Sequence, residues 1–120
     1  MYSDEQEIRA HFKTLTNEDI ANSIYLIGVD LDTIDLDSLL DKVYSLYEEV
    51  NTLRRMVNGG FKPEGDDPVL LPKDPRVQAG IMDDLSRKQS ALIKILDNDK
   101  VYYAFWGYLQ KDTNEKQSGF

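Results

Sequence analysis

The chain has 120 residues, a net charge of −8, 41% hydrophobic and 30% charged residues, and no cysteine. That length fits one domain with a modest core, and no apolar run approaches the roughly 20 residues a membrane span needs. The lack of cysteine excludes disulfides, thiolate metal sites and cysteine nucleophiles, and the acidic start MYSDEQEIRA has no apolar signal core, so the expected compartment is the cytoplasm (a host's, if the chain is viral).

The charge is unevenly placed. Met1 to Asp37 holds nine acids against Arg9 and Lys13, a net −7, whereas Ser38 to Val57 and Asp74 to Lys100 are each neutral. The acidic end is therefore ill suited to grip a phosphate backbone. Within it, SDEQEIRAHFKTL predicts a short helix with Ser3 as N-cap, acids in the first turn, and Ile8, Phe12 and Leu15 on one face. TNEDIANSIYLIG predicts a second helix capped at Thr16 or Asn17, with Ile20, Ile24 and Ile27 at helical spacing and Gly28 as its stop. VDLDTIDLD then alternates acidic and apolar residues, as a short extended piece or a linker would.

The clearest pattern follows. Leu36, Leu39, Val43, Leu46, Val50, Leu53 and Val57 are separated by 3, 4, 3, 4, 3 and 4 residues, an unbroken heptad seam. Valine at one seam position with leucine at the other favours two parallel strands. The expectation is coiled-coil or bundle packing with self-association. A helix burying one face in its own domain is the alternative, and Leu40, Tyr44 and Tyr47, which widen the stripe, support it.

Asn58-Gly59-Gly60 is a helix stop, and Pro63, Gly65, Pro68 and Pro72 keep the next residues out of helix and sheet. Phe61, Val69, Leu70 and Leu71 make this connection more than slack, so Phe61 to Pro72 is expected to lie across a neighbouring helix or subunit as part of a partner-binding edge. Helix restarts at Asp74-Pro75, with Val77, Ile81, Leu85, Leu92, Ile95 and Leu96 as its apolar face and Asp83/Arg87 and Asp84/Lys88 as i,i+4 pairs outside it. Lys88 and Gln89 interrupt the stripe at its centre, where a polar residue often sets register. Ile81, Leu85 and Leu92 join the seam residues in the expected oligomer interface. DND at 97–99 breaks or kinks this helix. KVYYAFWGYLQ, with Tyr102, Phe105, Trp106 and Leu109 on one helical face, also has the composition of a strand; its helical neighbours favour helix. KDTNEKQSGF reads as a solvated tail.

No catalytic constellation is present. His11 has neither a second histidine nor a nucleophile beside it and is expected to be structural. Neither phosphate-loop pattern occurs, because Gly59-Gly60 lacks the spacing and the lysine. Asp30, Asp32, Asp35 and Asp37 invite a calcium loop, yet Ile34, Asp35 and Asp41 stand where that loop wants Asp or Asn, Gly and Glu; a solvated acidic edge is expected instead. No metal or cofactor is expected. The basic candidates for a nucleic-acid contact are Arg54 and Arg55, which also complement the helix dipole, and Arg76, Arg87 and Lys88.

KDPRVQAGIMDDLSRKQSALIKILDND resembles the small terminase subunits of T4-like tailed bacteriophages, through Asp74-Pro75-Arg76, the helix behind it and its apolar end at Leu92 to Leu96. The resemblance covers a third to half of the chain. It implies a helical hairpin forming the wall of a ring, without enzymatic activity, that recognises viral DNA and regulates a separate motor-nuclease subunit. The expected architecture is one all-α domain: acidic N-terminal helices over 1–35, a long helical hairpin over 36–100, and an aromatic segment and tail over 101–120. The expected function is a non-enzymatic, self-associating adaptor whose partners are other copies of itself and a larger motor or nuclease subunit, with DNA contact through the basic residues and no membrane. Phe61, Leu70, Leu71, Tyr102, Phe105 and Trp106 are its expected partner-binding residues. The other reading is an acidic accessory or inhibitor protein that binds a host enzyme with its carboxylates.

Overall fold

Helix caps written in the sequence set most element boundaries. A computed structural model describes residues 4–58 and 74–118, with side chains through Lys111. The described residues contain five helices: α1 (Asp4–Lys13), α2 (Asn17–Ser23), α3 (Leu36–Asn58), α4 (Pro75–Leu96) and α5 (Asp99–Ser118). No strand occurs among the described residues. The connection over 59–73, with the expected edge at Phe61 to Pro72, and the expected cap Ser3 lie outside them.

Thr16 starts α2 through a reciprocal cap. Its hydroxyl accepts the Asp19 N–H at 3.1 Å, and the Asp19 carboxylate accepts the Thr16 N–H at 3.0 Å. Each bond satisfies a backbone donor that the first helical turn leaves unpaired. Asp35 opens α3 in a related way, its carboxylate accepting the Ser38 N–H at 3.0 Å and the Ser38 hydroxyl at 2.8 Å. Asp74 accepts the Arg76 N–H at 2.9 Å ahead of Pro75. Asn98 accepts the Lys100 and Val101 N–H groups at 2.9 and 3.3 Å, so DND ends α4 and caps α5 rather than bending one helix.

The helix boundaries depart from the sequence expectation at two places among the described residues. α2 stops at Ser23, and Ile24 adopts a positive φ of 61° while its N–H donates to the Ile20 carbonyl. The isoleucine periodicity therefore misleads there: Ser23 and Leu26 are buried, whereas Ile24 and Ile27 are 47% and 59% exposed. At the other end, the segment read as a solvated tail is helical through Ser118, as the last turns of α5.

α2 and α3 both pack on α4, and α5 closes against α1, α3 and α4. The α3–α4 hairpin is antiparallel: Val57 shares a groove with Met82 and Ser86, and Tyr47 shares one with Leu92 and Leu96. One core runs through the bundle, formed by Ile8 and Phe12 of α1, Leu39, Val43, Leu46 and Val50 of α3, Ala91 and Ile95 of α4, and Val101 and Phe105 of α5. Burying each larger aliphatic or phenyl side chain contributes about 1.5–3 kcal/mol before entropy is counted. Val101 and Phe105, one turn apart and 0% and 2% exposed, explain why the last segment is helix: that spacing delivers both to one face. No helix of the described residues is long and apolar enough to cross a membrane.

Candidate interaction surface

The heptad seam of α3 is spent inside the chain. Leu39, Val43, Leu46, Val50 and Leu53 are 0–8% exposed against the protein's own helices, so their burial needs no second copy. Leu92 is 8% exposed in the same core. Leu36, Val57, Ile81 and Leu85 are half-buried and mark the hairpin's margins.

Lys88, expected on a nucleic-acid face, turns inward instead. It is 5% exposed and reaches across the hairpin to the Glu49 carboxylate, while Asp84, one turn back on α4, lies 2.8 Å from its ammonium. Tyr25 donates its hydroxyl to the other Glu49 oxygen, so the turn after α2 is tied into the same network. Burial alone would lift Glu49 above the usual carboxylate range; hydrogen bonds from Lys88 and Tyr25, with the ammonium charge, outweigh it and hold its pKa down. Burial alone would likewise lower Lys88, but hydrogen bonds to Asp84 and Glu49 and their charges raise it. The hydrogen bond to Glu49 and then burial push Tyr25 up. Every shift moves away from neutrality, so the ions stay charged near pH 7. That suits a structural lock and not general acid–base work, which needs a group that titrates there. The polar gap in the α4 stripe signalled such a lock, but Glu49 and Tyr25 were not legible as its partners, since neither lies near Lys88 in sequence.

His11 bridges two helices, its Nε2–H donating to the Lys94 carbonyl at 2.8 Å. The acidic run also has local roles. Asp35 caps α3, and the Ser38 hydroxyl and backbone N–H hold its carboxyl below the usual range. Asp30 accepts the Asp32 N–H at 3.0 Å, and Asp32 pairs with Lys13. Among the described residues no group of three or more metal-ligating side chains comes together. Of the remaining cations, Arg54, Arg55 and Arg76 are exposed, and Arg87 is exposed but paired to Asp83 at 3.1 Å.

The expected partner-binding aromatics divide. Phe105 is corrected to a core residue, 2% exposed and edge-on to Tyr47 with ring centres 5.4 Å apart, because the helical repeat turns it inward beside Val101. Tyr102 and Trp106, 6.0 Å apart and edge-to-face, stand 43% and 45% exposed, with Tyr103 at 70% beside them. Phe61, Leu70 and Leu71 lie outside the described residues. The sequence reading missed Met82 and Ile93, which are 53% and 60% exposed on α4. They line a groove of about 410 Å³ between α3 and α4 whose other walls are Val57, Leu85, Ser86, Gln89 and Ser90. It carries no charged side chain. An adjoining groove of about 340 Å³ shares Gln89 and Ile93 and runs on to Leu96 and Tyr102. Met82 and Ile93 both lie off the inward stripe of α4, on a second stripe of the same helix whose spacing is less regular in apolar character. Compared with protein-family models, curated proteins and solved structures, the chain matches none.

Proposed function

We propose that this protein is a non-enzymatic helical adaptor that acts by protein contact and associates with itself. One observation carries the reading: Met82, Ile93, Tyr102 and Trp106 stand 43–60% exposed on neighbouring parts of α4 and α5 of an otherwise well-filled bundle. Methionine, tyrosine and tryptophan are the side chains enriched where proteins meet, and a connected apolar surface of this kind marks an association site. The most concrete form is the one the terminase resemblance implies, a ring-forming regulator of DNA packaging beside a motor-nuclease subunit, with Arg54, Arg55 and Arg76 facing DNA. Native mass of the intact chain at low and high micromolar concentration tests it. A defined oligomer supports self-association, and many copies in a closed ring support the packaging form; a monomer throughout overturns both.

The second reading, an acidic accessory protein that occupies a host enzyme's basic surface, is favoured by the exposure of Asp30, Asp32, Asp35 and Asp37 along one short segment. Association that disappears at a few hundred millimolar salt, where surface charges are screened, would move the reading in that direction.

A further inference from the structure

We infer that the groove between α3 and α4 receives α4 of a second copy, in antiparallel register about a two-fold axis passing between Arg87 and Lys88. The inference rests on the self-association proposed above, though not on its ring form.

Three features converge on a second copy as the occupant. The first is spacing. Ala79, Met82, Ser86, Gln89, Ile93 and Leu96 follow one another at 3, 4, 3, 4 and 3 residues, a second heptad seam on α4 beside the stripe that faces the core. Ala79 and Ser86 are exposed, Met82 and Ile93 are more than half exposed, and Gln89 and Leu96 are half-buried. This seam is symmetric about its own middle. Turning a copy end for end sets Met82 opposite Ile93, Ser86 opposite Gln89, and Ala79 opposite Leu96. A large side chain then meets a large one, a polar one meets a polar one, and a small one meets leucine. A two-fold interface requires this self-complementarity, because each pairing occurs twice with the partners exchanged.

The second feature is charge. The chain carries −8, yet the groove formed by Val57, Met82, Leu85, Ser86, Gln89 and Ile93 holds neither acid nor base. A strongly basic partner would find no carboxylate there, and an acidic one no cation. The centre of an interface between two copies is uncharged on both sides, Arg54 and Asp97 line only the adjoining groove at its end, and no residue of the acidic N-terminal segment lines either groove. The third is size. A specific interface covers roughly 800 Å² on each side, while 22 residues of helix make a strip about 33 Å long and 10 Å wide. A strip of that size falls short alone, so the adjoining stretch towards Leu96 and Tyr102 belongs to the same interface. Four helices then form a bundle, with α4 of each copy lying in the groove of the other.

The absence of native cysteine makes the register directly measurable. Met82→Cys and Ile93→Cys are made as separate single variants; both positions are exposed, and circular dichroism checks that each is folded. The two are mixed under reducing conditions, then gently oxidised. In the proposed register position 82 of one copy faces position 93 of the other, within disulfide reach, whereas the two copies of either position lie about 16 Å apart along the axis. The expected result is an efficient mixed disulfide dimer and only background dimer in either variant alone. Equal dimer in the single variants, or none in the mixture, overturns the register. Ile93→Glu supplies the second arm, read by native mass. Conversion of the oligomer to monomer supports the groove. An unchanged oligomer sinks this interface while leaving self-association standing, and a wild-type chain that is monomeric sinks both.

Discussion

The two long helices of the hairpin use their apolar residues differently. α3 commits the middle of its heptad seam to the core, with Leu39, Val43, Leu46 and Val50 each 0–1% exposed. α4 divides its own: Ala91, Leu92 and Ile95 face the same core, while Met82 and Ile93 stand exposed on the neighbouring stripe. Its inner stripe is also broken by Lys88, which is held by Glu49 and Asp84. The contrast teaches that the cleanest coiled-coil pattern need not mark the surface between molecules. Apolar periodicity reports that a face is buried, not which chain buries it. The less regular helix has apolar surface left for a partner.

The contrast breaks most sharply at Val50. Val50→Asp puts a carboxylate where the side chain is 1% exposed, among the apolar residues of the core. The expected cost is about 3–5 kcal/mol, a large share of the stability of a domain of this size, so the melting temperature falls sharply. Thermal circular dichroism reads the result, and a melt like the wild type's would mean that α3 is not the core helix.

Lys88→Ala comes next. It leaves Glu49 and the Tyr25 hydroxyl without their cation inside the hairpin, at an expected cost of about 2–3 kcal/mol in chemical denaturation. Lys88→Met paired with Glu49→Leu removes both charges together and is expected to recover most of that loss, since a well-packed apolar pair often equals a buried ion pair. No recovery in the double variant would show that the lock contributes more than mutual neutralisation.

The same lock makes stability depend on pH with a definite sign. Glu49 is held below its ordinary 4.5, so its contribution is full above that value and is lost as pH falls through the folded pKa. Asp19, held down chiefly by the Thr16 N–H, adds to the acid-side loss. Lys88 lies above its ordinary 10.5, so its contribution is full below that value and fades as pH rises through the folded pKa. For these groups the melting temperature is expected to be flat between about pH 5 and 10 and to decline on either side. Glu49→Gln is expected to flatten the acid side in part, leaving the share due to Asp19 and Asp35. An acid-side slope that Glu49→Gln leaves intact would remove the lock from the explanation.

The smallest effect concerns the turn that brings Tyr25 to Glu49. Ile24 holds a φ of 61°, a conformation costly for a branched side chain, and is 47% exposed. Ile24→Gly relieves that strain at some cost in unfolded-state entropy, for a net gain of about 0.5 kcal/mol. Ile24→Val, branched in the same way, is expected to bring no gain. A destabilised glycine variant would mean that the isoleucine packs more than its exposure suggests.

Local chemistry along the chain was enough to settle the helices and most of their starts. Thr16, Asp35, Asp74 and Asn98 each satisfy nearby backbone N–H groups through their own side chains, an interaction that spans two or three residues. The first and third are plain in the sequence for that reason. The seam of α3 was legible as a buried face, because burial imposes its period on the residues themselves. What lies across from that face was not. The seam's partners are α4 and α5 of the same chain, and Lys88 meets Glu49 39 residues away, a pairing that comes into being only when the hairpin closes. The same closure turns Phe105 inward beside Tyr47 and leaves Met82, Ile93 and Trp106 outside. A period says which residues share a face; the direction that face takes is set by helices docking from elsewhere in the chain.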